Sequence, residues 1–181
     1  MARVRDRIFA GFGAFLFLGS ACALTIFVIL QPGSNSAATN AQNQQASCDI
    51  NTPVSSPAIA APDVYKPDGA VTTLQITDLT PGTGAAAKNG DCLVMKYYGT
   101  LAATGAVFDQ DFNTANALQF TLGQGQVITG WDNGLVGMKV GGTRRLVIPA
   151  AEAYGSQSPS AAIPANSDLV FIVKLVQIKK V

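Results

Sequence analysis

The chain contains no histidine. That removes imidazole general bases, Ser-His and Cys-His nucleophile pairs, and histidine-ligated metals. Cysteine is scarce too. Cys22, Cys48 and Cys92 stand far apart without a Cys-x-x-Cys pair, which argues against a zinc or iron–sulfur site. Charge is thin and balanced, 12 basic against 11 acidic residues among 181, so nothing marks a nucleic-acid partner. Trp131 is the sole tryptophan. Neither a metal nor a cofactor is expected from this composition, and the length suits one domain with flanking segments.

The few charges are unevenly placed. Arg3, Arg5 and Arg7 face only Asp6 in residues 1–7, and an uncharged run of 23 residues follows from Ile8 to Leu30. About 20 apolar residues span a bilayer as a helix, whereas the apolar core of a cleaved signal is roughly 7–15 residues long. Residues 8–30 are therefore expected to be an uncleaved, single-pass signal anchor, with a basic tail at 1–7 in the cytoplasm and the rest outside. Lipidation after a cut before Cys22 is the alternative, but Gly19 and the continuing apolar run disfavour it. Residues 31–66 are rich in Ser, Asn, Ala, Gln, Thr and Pro, so they are expected to be a flexible linker. Cys48 and Cys92 would share an oxidising space, and a disulfide between them is left open.

From residue 67 onward the pattern changes. Val71–Thr77 alternates apolar with polar, Cys92–Tyr98 is a second strand ended by Gly99, and Ala106–Asp109 is a short third. Leu118–Leu122 alternates again, Thr143–Ile148 is closed by Pro149, and Asp168–Ile178 is a long final strand. Between them lies Gln126–Met138, where Val127, Trp131 and Leu135 recur at i, i+4 and i+8, widened by Ile128 and Met138. The flanking glycines leave a helix of about two to three turns. The expected fold class is α+β, a curved antiparallel sheet of about five strands wrapped around one short helix. Such a sheet and helix aim Tyr97, Phe108, Leu118, Phe120, Val127, Ile128, Trp131, Tyr154, Ile163 and Phe171 at one another, with Asp109 near them. On residue chemistry this is either a plain core or an aromatic pocket for a small apolar ligand or side chain.

Eight short motifs then occur in order: Val94-Met-Lys-Tyr-Tyr-Gly99, Gly105-Ala-Val-Phe-Asp109, Phe120-Thr-Leu-Gly123, Val127-Ile-Thr-Gly-Trp131, Gly134-Leu-Val-Gly-Met138, Ala153-Tyr-Gly155, Ile163-Pro164 and Leu169-Val-Phe171. Together they resemble the FKBP family of peptidyl-prolyl cis-trans isomerases, the rapamycin-binding immunophilins, over roughly residues 68–181. The resemblance implies a prolyl pocket between sheet and helix in a domain at 67–181. Trp131 would be its floor, and Tyr97, Phe108, Phe120, Val127, Ile128 and Phe171 its walls. The Ile128 N–H and the Tyr154 hydroxyl would hold peptide carbonyls, Asp109 would sit at the rim, and Ile163 on an overhanging loop. Leu118 stands where relatives often have an aromatic, and Thr114 where many have an arginine that pairs with the pocket aspartate. Pro159 and Ala162 fill overhang positions that are often bulkier.

The implied function is cis-trans isomerisation of X-Pro bonds during folding of extracytoplasmic proteins. The implied partners are unfolded or exported proline-containing polypeptides, rapamycin-type macrolides, and the membrane through residues 8–30. Two other readings stand beside it: a non-catalytic proline-peptide-binding or chaperone module of the same fold, and a structural domain with a solid core.

Overall fold

The computed structural model of the chain describes Cys48 and residues 54–179. The expected basic tail and signal anchor lie outside the described residues, as does most of the expected linker. Among the described residues no helix is long and apolar enough to cross a membrane.

One strand, β3 (Cys92–Leu101), organises the sheet. Its whole length pairs with β7 (Leu169–Lys179), from Cys92↔Lys179 to Leu101↔Leu169. Two shorter strands share its other edge. β5 (Asn116–Thr121) pairs with Cys92–Met95, and β4 (Val107–Gln110) with Tyr98–Thr100. Beyond β7 lie β6 (Thr143–Ile148) and then the edge strand β2 (Gln75–Thr80). A two-residue β1 (Val54–Ser55) closes the far side against β5, and every pairing is antiparallel.

The antiparallel sheet with one short α-helix agrees with the expectation, and among the described residues it has seven strands in place of about five. β2 begins later than the Val71–Thr77 pattern suggested. Val71 is buried in a small cluster of its own, while all six residues of β2 are exposed on the sheet's edge. Alternation at 71–77 therefore reflected two different environments rather than one strand.

The helix α1 (Thr129–Gly134) is shorter than expected, only six residues. Val127 and Ile128 precede it in extended or turn backbone, and Leu135 and Met138 follow it. The apolar stripe was real, but turns rather than a third helical turn carry its ends. Two glycines seat the helix. A Cβ on Gly130 would lie 2.4 Å from Ile148 Cγ2, and one on Gly134 would lie 2.8 Å from Leu146 Cδ2, so the helix backbone rests directly on β6. Arg144 of β6 fastens the other end by donating to the Gly134 carbonyl at 2.8 Å and, bidentately, to Asp78 of β2 at 2.7 and 3.1 Å. That hydrogen bond holds the Asp78 carboxyl below its usual pKa.

Both faces of the sheet are covered. Leu93, Met95 and Tyr97 of β3 point into the main core beneath α1. Tyr98 points the other way, to Phe112, Ile172 and Ile59. Part of that outer cover comes from residues expected to be flexible linker. Ser56 N–H donates to the Ala115 carbonyl at 2.9 Å, Ile59 N–H donates to the Phe112 carbonyl, and the Tyr65 ring stacks 3.5 Å from the Arg145 guanidinium. A disulfide joins Cys48 to Cys92 at the start of β3. The segment is poor in apolar residues, yet Ile59 and Tyr65 with backbone hydrogen bonds suffice to seat it as a strap. The physical reason is that the sheet already offers an apolar outer surface and open β5 edge.

Candidate functional site

The site grows out of the middle of β3. Gly99 pairs with Phe171 on one side and Asp109 on the other. Any Cβ there would lie 2.7 Å from the Phe108 ring and 2.9 Å from the Phe171 ring, so its absence lets both rings lie down on the sheet. Phe108 and Phe171 meet edge to face at 5.4 Å. Trp131, held over them by α1, takes edge contacts from Phe171 at 5.2 Å and Tyr97 at 5.8 Å, and a tilted contact from Phe120 at 5.7 Å. Such ring pairs contribute roughly 0.5–1.5 kcal/mol each beyond their buried area, so the indole is rigidly fixed.

Above the indole is an open pocket with about 300 Å³ of empty space, mouth included. It is lined by Tyr97, Leu118, Val127, Ile128, Trp131, Tyr154 and Phe171. Trp131 is only 4% exposed, yet it lines the pocket rather than being sealed beneath other side chains. A larger depression of about 960 Å³ at the β3–β4 hairpin is more polar and contains none of the expected site residues.

Two expected wall residues and the expected overhang residue sit elsewhere. Phe108 and Phe120 are buried behind the lining, where they buttress Phe171 and Trp131. Ile163 lies on the loop after Tyr154, but its side chain is fully buried in the core rather than overhanging the opening. A backbone bridge to Ser160 turns it inward. Their apolar character marked them as inward-facing, and sequence cannot separate a lining from the layer behind it.

The polar groups are few and specifically placed. Tyr97 Oη donates to Asp109 Oδ2 at 2.7 Å, and the Gln110 N–H donates to Asp109 Oδ1 at 2.9 Å. These hydroxyl and backbone donors serve the Asp109 carboxylate, which does not itself line the pocket but whose charge acts on Tyr154, which does. Tyr154 follows a 3₁₀ turn at Ala150–Glu152 that directs it to the pocket. Its hydroxyl is buried without a partner among the described residues, as is Trp131 Nε1. Burial, and then the Asp109 charge, raise the Tyr154 phenol above its ordinary pKa of 10.0, so it stays a donor. The Ile128 N–H, at the N-cap of α1, has no acceptor among the described residues. Two unengaged donors thus border an apolar cavity, an arrangement that fits a ligand bearing carbonyls and a compact apolar ring.

Two buried residues escaped the sequence reading. Lys96 is 0% exposed and Asp111 3%, and both lie directly behind Tyr97. Their signal was a charge in the middle of the apolar run Cys92–Tyr98 and a second acid two residues past Asp109.

No group of three or more His, Cys, Asp or Glu that could hold a metal occurs among the described residues. The sequence model of the family described as FKBP-type peptidyl-prolyl cis-trans isomerase matches residues 84–176. A Streptomyces anulatus protein named FK506-binding protein is 42% identical over 123 residues, covering 67% of this chain and 99% of its own. FK506-binding protein 4 of Neurospora crassa is 51% identical over 117 residues, covering 63% of this chain. The chain spans only 24% of that relative's length, and 24–28% of the length of four other fungal relatives. A crystal structure of AtFKBP13 superposes with a TM-score of 0.53 at 34% identity, over 59% of this chain and 93% of that one.

Proposed function

This chain belongs to the FKBP-type peptidyl-prolyl cis-trans isomerase family, and on that premise we propose that it accelerates rotation about X-Pro bonds in polypeptides outside the cytoplasmic membrane. The single observation that carries the catalytic reading is the open slot floored by Trp131 with two unengaged donors at its border.

The task is a barrier of about 18–20 kcal/mol, set by amide resonance. Left alone, the bond exchanges over tens to hundreds of seconds. A proline ring seated on the Trp131 face would be walled by Tyr97, Leu118, Val127 and Phe171. The Ile128 N–H and Tyr154 hydroxyl would take the peptide carbonyls that water releases. The planar amide is the more charge-separated form, so withdrawing water raises it more than the twisted form. A slot whose shape suits the twisted form adds differential binding. Asp109, held by Tyr97, would stand near the turning amide. No proton transfer or nucleophile is needed, and the lack of histidine is no obstacle.

The location rests on the arginines before the 8–30 run, which favour an anchor with a cytoplasmic N-terminus. It is supported by the Cys48–Cys92 disulfide, since such bonds persist in oxidising spaces. Clients would be unfolded or newly exported chains that present proline, and rapamycin-type macrolides would compete for the slot.

The test is exchange on a proline peptide by the full chain, with Trp131→Ala as control. Catalysis lost in the variant supports the proposal. Peptide binding without acceleration would leave a non-catalytic module, and no change in Trp131 fluorescence with rapamycin would leave a solid core. Fractionation, with mass measurement of the mature chain, tests the anchor against a lipidated Cys22.

A further inference from the structure

Behind the pocket, on the far side of β3 from Trp131, two charged side chains are buried together. Lys96 Nζ donates to the carbonyls of Asp111 at 3.1 Å, Thr114 at 2.7 Å and Asn116 at 3.0 Å, so the ammonium is caged by the β4–β5 connection. Thr114 Oγ1 closes the same loop by donating to the Asp111 carbonyl at 3.0 Å. Asp111 in turn clasps Tyr97 from both sides. Its N–H donates to the Tyr97 carbonyl at 3.0 Å, and its Oδ1 accepts the Tyr97 N–H at 2.7 Å. The other end of Tyr97 is the hydroxyl that binds Asp109 Oδ2 at 2.7 Å.

We propose that Asp111 is a positioning residue for the pocket, its ionised carboxylate holding the Tyr97 main chain so that the Tyr97 hydroxyl meets Asp109. The proposal rests on the isomerase reading above. Asp111 touches no substrate; it acts through Tyr97. A hydrogen bond to a carboxylate is roughly twice as strong as one to a neutral acceptor, so the clasp is firm only while Asp111 is charged.

Burial opposes that charge, and it outweighs the help from the Tyr97 N–H, from Lys96 and from the Leu118 N–H. The carboxyl is pushed up to about 6, with the Asp109 charge adding a little. Among the described residues its buried Oδ2 meets no donor at full hydrogen-bond geometry, which is the geometric counterpart of that cost. The charged and titratable neighbours are Lys96 and Tyr97 from β3, Asp109 from β4, and Lys174 of β7, which is in register with Lys96. The 112–116 loop and the strap residues 54–62 contribute none.

Two consequences run in opposite directions. Ionisation firms the clasp, so activity rises with pH through about 6, while the same charge is costly to bury, so stability falls over that interval. A chain without histidine has no ordinary group titrating there, which makes the profile readable.

The experiment measures kcat/KM by NMR exchange on an uncharged proline peptide, with urea unfolding in parallel, for the full chain between pH ~4.5 and ~7.5. The wild type is expected to gain about fivefold in kcat/KM across the inflection, the ratio between a charge-assisted and a neutral hydrogen bond. Asp111→Asn should stay at the low-pH activity with a flat profile. A wild type that is active but flat, or an inflection that survives in Asp111→Asn, overturns the proposal and leaves the isomerase reading intact. A wild type with no activity at any pH removes both. Should Asp111→Asn fail to fold, the opposed motion of wild-type activity and stability still decides.

Discussion

Gly130 offers the sharpest test of how packing makes this pocket. An alanine Cβ at that position would stand 2.4 Å from Ile148 Cγ2, 2.9 Å from Cδ1 and 3.0 Å from Cγ1. Ile148 is fully buried and β-branched on a central strand, so its χ1 has little freedom to turn away. Reaching ordinary contact therefore requires α1 to retreat from β6 by about 1 Å. Over-packing of this kind costs about 1–3 kcal/mol. Trp131 is the next residue, so the pocket floor moves with the backbone. A misplacement of about 1 Å can lower kcat/KM by roughly 100-fold. Gly130→Ala should thus lose stability in urea unfolding, and lose activity out of proportion to that loss in an assay well below its midpoint. Ile148→Ala alone should cost about 2–5 kcal/mol through its cavity. Combined with Gly130→Ala it should recover part of the loss, because the new methyl enters the space vacated. Wild-type stability and turnover in Gly130→Ala, or strict additivity in the double variant, would show that the helix is not seated on Ile148.

Further outcomes follow from other contacts. Tyr154→Phe removes a hydroxyl that no group among the described residues engages, so stability in urea should hold while kcat/KM falls by about 3–10-fold, the worth of one hydrogen bond; a loss of stability instead would assign the hydroxyl a structural role. Cys48→Ser opens a loop of 44 residues, and chain entropy sets the expected loss at up to about 4 kcal/mol in non-reducing denaturation. A change below about 1 kcal/mol would mean that the bond does not tie the strap to the folded state. For Asp111 the folded carboxyl is raised from 3.8 to about 6, so its contribution is present below the lower value and is lost as pH rises through the upper one. The expected decline between those values is on the order of 3 kcal/mol in wild type and absent in Asp111→Asn.

Much of this architecture was legible as pattern. The apolar runs at Cys92–Tyr98 and Asp168–Ile178 read as strands because both of their faces are covered, and they pair along their whole length. Tyr97, Trp131, Tyr154 and Phe171 were expected at one pocket and meet there, with Leu118, Val127 and Ile128 beside them. Legibility ended where two environments produce the same residue pattern. Leu135 and Met138 continue a helical stripe although the helix has ended, because a turn can point an apolar side chain inward as well as a helix can. Phe120 and Ile163 are as apolar as the lining but stand behind it.

By itself the sequence determined which chemistry is available: no imidazole, one indole, 11 acids, and apolar periods that mark most segments as strand or turn. Those properties are local, since they follow from side-chain type and spacing along the backbone. Only the tertiary structure decided that a low-complexity segment would strap the outer sheet, that Lys96 would be caged by three carbonyls, and that Asp111 would grip Tyr97. Each of those depends on partners distant in the chain. Burial of a charge, or pairing of an open edge, acquires its energy only when the fold brings the other side into place.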